Sequence, residues 1–458
     1  MQRRPFLSLT VCFFVLTALT VASSRADDAA APPAMPAKID LQDGDTLVFL
    51  GDSITHQRLY TQYVEDFFYT RFPDRRIHFH NAGVGGAQAW DALQRISRDV
   101  LDYKPRYVTI LLGMNDGRYT PFDPDIFATY QKDMTAVVDR IRAGGATPVL
   151  MSPTMFDARA AQLRQNPRRP RSPEMLSQYN SVLAYYGRWL QDRAIETGTS
   201  YVDMFSLLND LTVEARETDP AFTLIKDAIH PDPPGQLVMA YAMIDDLGLR
   251  SQVSNIRILP GAQSGLRAQA GGGTVSNIRT TADGVEFDWK ANSLPWVLPE
   301  EAHPGAKLLH LGHRASKEGL EVHGLKRGQY EVVIDGLVVG AYSDVALSRH
   351  IELQDNSKTP QYQQAMAVAV LNKQKNEGPV KQLRDGWRMF QGWARQSRQL
   401  KDQPNNTQLA DAVAKGRERL NGLEEIIAGA ESAATQIEDK IYAINQPKTR
   451  HYVIRRVQ

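Results

Sequence analysis

From residue 45 to about residue 249, short apolar runs alternate with longer stretches whose apolar residues recur at helical spacing. The apolar runs cover residues 46–50, 76–80, 107–112, 147–151 and 200–205, and each reads as a strand. Helical spacing occupies residues 56–72, 90–103, 124–143 and 173–197 between them. Strands separated by helices predict an α/β domain: a three-layer parallel sheet with right-handed crossovers and helices on both faces. In such a sheet the functional residues collect beyond the carboxyl ends of the strands.

Chemistry-bearing residues sit at those ends. The first apolar run stops abruptly at Gly51-Asp52-Ser53. A serine hydroxyl is a poor nucleophile at neutral pH unless a histidine takes its proton and a third group orients that histidine. Asp227-Ala228-Ile229-His230 supplies both residue types far downstream. Two further turns, Asn81-Ala82-Gly83-Val84-Gly85-Gly86 and Gly113-Met114-Asn115-Asp116, follow other strands and could donate hydrogen bonds to an anion. Each feature has a plainer reading: Ser53 as a helix N-cap, Asp227 and His230 as a surface turn, Asn115 as a turn residue. The glycine turn is not a dinucleotide fingerprint, because Gln88 occupies a position that pattern needs as glycine.

Taken in order, the four blocks resemble the signature blocks of the SGNH (GDSL) hydrolase superfamily, across a little under half of the chain. The resemblance implies a flavodoxin-like sheet, with Ser53 as nucleophile, His230 as general base and then acid, and Asp227 as its orienter. It also implies an oxyanion hole built from the Ser53 N–H, the Gly86 N–H and the Asn115 side-chain amide. Asp52 is expected to fix the nucleophile loop by hydrogen bonds. His56 and the pair Arg118-Tyr119 lie just beyond the blocks, as substrate contacts or as solvated loop residues.

Composition narrows the partners. The chain has 458 residues and a formal charge of +1, with Arg3, Arg4 and Arg25 in a segment that reads as a secretory leader. No global basic field exists to attract nucleic acid or anionic membrane. Residues 1–26 show a basic start, an apolar core at 6–21 and the small-residue cleavage pattern Ser24-Arg25-Ala26, so export by a Sec or twin-arginine route is expected. No stable membrane insertion is expected after processing; an uncleaved anchor is the rival reading. Cys12, the only cysteine, lies inside this leader, which leaves the mature chain without disulfide, thiolate or cysteine-bound metal. The histidine pairs His78/His80 and His310/His313 lack a clustered carboxylate framework, so neither a metal nor another cofactor is expected.

The organisation then reads as leader 1–26, Ala/Pro-rich linker 27–44, hydrolase domain 45–250 and a Gly-rich linker 251–274. A small antiparallel β-rich module follows over 275–355. Its hairpins are expected at 275–280 with 285–289 through Asp283-Gly284, at 320–323 with 330–334, and onward through Asp335-Gly336. This module resembles C-terminal extensions of some bacterial family members. Helix formers dominate from about 361 to 443, and residues 451–454 read as an edge strand returning to the module. The helical region reads as a hairpin packed on the catalytic domain, or as a dimerisation or gating element. Trp387, Phe390 and Trp393 fall at helical spacing, as core or as a sugar-binding stripe. The functional expectation is a serine esterase acting on short acyl, chiefly acetyl, esters of a small-molecule or polysaccharide substrate. The alternatives are a lysophospholipase or thioesterase and, in another class, a non-catalytic carbohydrate- or envelope-binding protein.

Overall fold

Leu47, Val48, Phe49 and Leu50 are sealed from solvent and form the middle of β1 (Thr46–Gly51). A strand that is apolar at successive positions buries both faces, which requires helices above and below it. The computed structural model describes residues 39–164, 171–249, 252–262 and 265–457. In it, β1 pairs in parallel with β2 (His78–Gly83) and with β3 (Tyr107–Leu111). Adding β4 (Thr147–Met151) and β5 (Ser200–Val202) gives the parallel order β2-β1-β3-β4-β5. This is the flavodoxin-like order, and its crevice lies where strand succession reverses, between β1 and β3.

Helices connect these strands: α1 (Ser53–His56) and α2 (Leu59–Arg71) after β1, α3 (Ala89–Asp99) after β2, α4 (Pro124–Ala143) after β3. α5 (Ala158–Leu163) and α6 (Pro173–Thr197) follow β4, while α7 (Ser206–Ala215) and α8 (Pro233–Asp246) follow β5. Local chemistry sets their ends. Asp123 and Ser172 cap α4 and α6 with side-chain oxygens, each followed by proline at the first helical position, and Gly198 closes α6 at φ +61°. The expected helices 124–143 and 173–197 therefore have the observed bounds.

The leader and most of the first linker lie outside the described residues. The last part of that linker is anchored: Ile39 and Leu41 are buried in the hydrolase core, while Asp40 and residues 42–44 between and after them are exposed. The stretch 251–274 is not a linker either. It folds as β6 (Ser254–Pro260) and β7 (Leu266–Gly271), because Ile256 and Ile258 alternate inward into a second core with Leu320. Gly272 serves close approach: a Cβ there, at φ +80°, would lie 2.0 Å from the Val253 carbonyl oxygen.

β8 (Gly273–Thr281) and β9 (Gly284–Ala291) form the expected hairpin. Next come α9 (His303–Leu309), α10 (Leu311–Ala315), β10 (Glu318–Val322), β11 (Gln329–Ile334), β12 (Leu337–Ser343), α11 (Asp344–Arg349) and β13 (Ile351–Glu352). β10 and β11 do not pair with each other. β10 runs parallel to β6 and antiparallel to β13, whereas β11 joins β12 and the final strand. The β region is thus two sheets, one antiparallel throughout (β12-β11-β14-β9-β8, where β14 is the final strand Thr449–Arg456) and one mixed (β13-β10-β6-β7).

The chain ends with α12 (Pro360–Lys375), a π turn at Asn376–Val380, α13 (Lys381–Asp402), α14 (Thr407–Arg419), α15 (Leu423–Ile444) and β14 (Thr449–Arg456). β14 is not an edge strand: it lies between β9 and β11. α12 covers α2, where Asn372 donates to the Gln62 carbonyl at 3.0 Å and to Asp66 at 2.8 Å. Leu383, Trp387 and Ala430 belong to the same apolar core as the parallel sheet. Trp387 is therefore interior, with Phe390 and Trp393 half-buried beside it.

Candidate active site

Ser53 opens α1 directly after β1, so its backbone N–H is one of the first-turn donors that a helix leaves without an internal partner. Asp52 caps that turn, accepting from the Ile54 N–H at 2.9 Å. Gly51 is required by space, since a Cβ there would lie 2.1 Å from Thr55 Oγ1. His230 Nε2 stands 2.8 Å from Ser53 Oγ, and His230 Nδ1 stands 2.7 Å from Asp227 Oδ2. The other Asp227 oxygen accepts the backbone N–H groups of Ile229 and His230 at 2.9 and 2.7 Å.

That short loop carries strain. Ala228 has φ +74°, a conformation that costs a β-carbon-bearing residue about 1–3 kcal/mol. The surroundings hold it: the Ala228 N–H donates to Ile225 O at 2.8 Å, and its carbonyl accepts from Asp157 N at 3.0 Å. Asp157 is itself fixed by both oxygens on Arg216 and by Thr223. The imidazole is thus aimed by a chain of contacts reaching back to Asp157, which caps α5.

Asn115 follows β3. Its Nδ2 lies 3.2 Å from both Asp52 Oδ2 and the Ala87 carbonyl, and its Oδ1 accepts from the Tyr119 hydroxyl at 3.1 Å. Tyr119 therefore tethers the amide oxygen and turns the NH2 group towards Asp52, beside Ser53. Both NH2 contacts are long, so a charged acceptor would compete well for these hydrogens. Gly86 precedes Ala87, has φ +72°, and its N–H finds no acceptor among the described residues. All six sequence-derived positions, Ser53, Asp227, His230, Gly86, Asn115 and Asp52, lie at this carboxyl edge.

Electrostatics follow from the geometry. Partial burial works against a charged His230, but the hydrogen bond and charge of Asp227, with Asp52 behind, raise its pKa above the ordinary imidazole value. Burial also opposes the Asp227 charge, yet the His230 and backbone hydrogen bonds hold its carboxyl down to about 2. Asp52 is pushed up to about 6 by full burial, partly offset by the Ile54 N–H and the His230 charge. The arrangement can take a proton from Ser53 Oγ, hold it on His230 and keep Asp227 ionised throughout.

Residues 49–238 match the GDSL-like lipase/acylhydrolase family. The chain is 25% identical over 226 residues to an acetylxylan esterase of Geobacillus stearothermophilus, covering 45% of this chain and 94% of that one. Over 74 residues it is 35% identical to an uncharacterised lipoprotein, YqeF, of Bacillus subtilis strain 168, covering 16% of this chain and 30% of the relative. Among solved structures, BT4096, a gut microbial diltiazem-metabolizing enzyme, is 26% identical with a TM-score of 0.76. That match covers 92% of this chain and all of the other, so the C-terminal sheets and helices are shared with a known structure. Residues 49–238 form an SGNH/GDSL hydrolase domain. The chain is a serine ester hydrolase.

Several residues that hold the SGNH site escaped the sequence reading. Gln236, fully buried at the start of α8, accepts from the Tyr60 N–H and donates to Gln57 and to the Pro231 carbonyl beside His230. Its one signal is its place a helical turn after the histidine loop. Asp157 and Arg216 had no motif at all. His56 makes its contacts elsewhere than at Ser53, with Nδ1 3.3 Å from Gly83 O and Nε2 3.8 Å from Asp385. The histidine pairs do not converge on one centre: His78 meets Glu438, His80 meets Asp99, and His313 meets Glu352. Among the described residues no group of three or more His, Cys, Asp or Glu is placed to hold a metal ion.

Proposed function

We propose that this chain is an exported serine esterase that removes acetyl and other short acyl groups from carbohydrate. Ser53 Oγ attacks the acyl carbonyl as His230 Nε2 takes its proton. The tetrahedral oxyanion is held by the Ser53 N–H, the Gly86 N–H and Asn115 Nδ2, each donor worth about 3 kcal/mol in the transition state. His230 then protonates the leaving alkoxide, freeing the alcohol and leaving an acyl-Ser53. Water, deprotonated by His230, releases the acid by the reverse sequence, while Asp227 keeps the imidazole in the required tautomer.

The observation that carries this reading is the hydrogen-bonded line Ser53–His230–Asp227 lying open at the sheet edge. The His230 and Asp227 side chains are 29% and 38% exposed. An open site admits an ester carried on a large hydrophilic alcohol, whereas a long acyl chain needs an apolar enclosure. The acetylxylan esterase relative supports the same substrate class. Export is supported by the leader pattern and by the lipoprotein relative. No helix among the described residues is long and apolar enough to cross a membrane.

The test is an ester panel varying acyl length and alcohol, run with wild type and Ser53→Ala. Acetylated oligosaccharides should be turned over preferentially, and Ser53→Ala should lose essentially all turnover. Preferential cleavage of lysophospholipids or thioesters would overturn the substrate class, and full activity in Ser53→Ala would overturn the mechanism.

A further inference from the structure

α13 reaches the glycine turn of the active site from a segment more than 300 residues downstream. The Gln391 side chain donates through Nε2 to the Gly85 carbonyl at 3.0 Å, and Arg395 donates through Nη2 to the Gly86 carbonyl at 2.6 Å. These are the two carbonyls flanking the Gly86 N–H. The peptide joining Gly85 to Gly86 is trans and planar, so holding its carbonyl at one end fixes the direction of its N–H at the other. Glycine at φ +72° has no side chain to restrain it, and a Cβ there would come no nearer than 3.9 Å to any neighbouring heavy atom, that of Arg395. Without outside contacts this peptide is free to rotate away from the reacting centre.

The contacts are themselves anchored. Arg395 makes a two-pronged pair with Asp91, Nε to Oδ1 at 2.8 Å and Nη2 to Oδ2 at 2.5 Å. Asp91 is 2% exposed and also caps the start of α3 through the Gln88 N–H. About three turns earlier on α13, Arg384 grips Asp99 at the other end of α3. α13 thus runs antiparallel to α3 and is pinned at both ends, which places Gln391 and Arg395 over the turn. Gln391 is 5% exposed and spends its amide on Gly85, although its Oε1 is buried without a partner. A buried amide held with one end unsatisfied costs stability.

We propose that Gln391 and Arg395 are positioning residues for the oxyanion hole, so that the C-terminal helical region completes the catalytic centre of the hydrolase domain. The proposal rests on the reading of Gly86 as an oxyanion donor. Gln391 and Arg395 do not touch substrate; they hold the Gly85–Gly86 peptide in the orientation the tetrahedral intermediate needs.

The experiment compares wild type with Gln391→Ala, Arg395→Ala and Arg395→Lys in the full-length chain. It measures kcat and KM on an acetyl ester, inhibition by a small alkyl boronic acid that forms a tetrahedral adduct on serine, and the melting temperature. Loss of a whole oxyanion donor lowers kcat about 100- to 1,000-fold, so misorienting one should lower it about 10-fold. Boronate affinity should fall in parallel, with KM little changed. Arg395→Lys cannot serve Asp91 in two-pronged fashion and Gly86 together, and should recover only part of the loss. A purely structural role would lower the melting temperature while leaving kcat and boronate affinity of the folded fraction at wild-type values; that result overturns the proposal. Ser53→Ala separates the two levels. If it keeps activity, the oxyanion reading itself fails; if it is inactive while the α13 variants keep wild-type kcat and boronate affinity, only the positioning role fails.

Discussion

Arg384 and Asp99, 285 positions apart in the chain, form a two-pronged ion pair at 2.9 and 2.7 Å with neither side chain reaching solvent. Asp99 also accepts from Arg95 at 2.5 Å and meets His80 at 3.1 Å, and these partners hold its carboxyl far below the usual range despite full burial. The cluster joins the last helices to the helix that follows β2.

Arg384→Ala should therefore destabilise the whole protein and not the C-terminal region alone. Removing one member of a buried pair costs about 3–5 kcal/mol, because the partner charge stays desolvated. Urea unfolding followed by circular dichroism should show a single transition at a lower midpoint. A loss under about 0.5 kcal/mol would mean that Arg95 and His80 suffice for Asp99.

Most of the parallel sheet was legible because β1, β3 and β4 are largely apolar runs and α4 and α6 carry caps and prolines where those residues start a helix. The site was legible because serine, glycine turn, asparagine and histidine each follow a strand or enter a helix. The rest was hidden by burial of polar residues. α2 carries Gln62, Glu65, Asp66 and Arg71, all of them buried, and the first three lie under α12 and the turn that follows it, against the polar residues Asn372, Lys375 and Asn376. Pairing across 300 residues leaves no local periodicity. The same holds for β14, whose partners β9 and β11 lie far upstream in the chain.

In the proposed mechanism His230 must be neutral to accept the Ser53 proton. Its pKa is raised, since Asp227 and Asp52 favour the charged ring more than burial disfavours it. Activity should thus fall on acidification with a midpoint above the ordinary imidazole value of about 6.5. In Asp227→Asn the acid limb should move to lower pH, and kcat should fall by roughly 10,000-fold as the tautomer is lost. A kcat/KM profile flat down to about pH 4 would remove His230 as the base.

Asn115→Ala should lower kcat about 100- to 1,000-fold with little change in KM, the signature of a donor used only in the transition state. Tyr119→Phe removes the tether on Asn115 Oδ1 but leaves the amide in place, so its kcat loss should be smaller, about 10-fold. Steady-state kinetics on one acetyl ester decide both. Equal losses in the two variants would mean that Tyr119 acts on substrate directly and not through Asn115.

Cutting the chain after residue 358 removes α12 to α15 and β14 at once. The hydrolase sequence motifs would all remain, but β9 and β11 would lose the strand between them, and the apolar surface under Leu383, Trp387 and Ala430 would be bared. Two unpaired strand edges beside exposed apolar surface favour association between chains. The truncated protein should accumulate in the insoluble fraction, and any soluble part should elute as aggregate in size-exclusion chromatography. A soluble, monodisperse 1–358 fragment with wild-type kcat would show that the hydrolase domain stands alone, and that the contacts made by α12, α13 and β14 are dispensable.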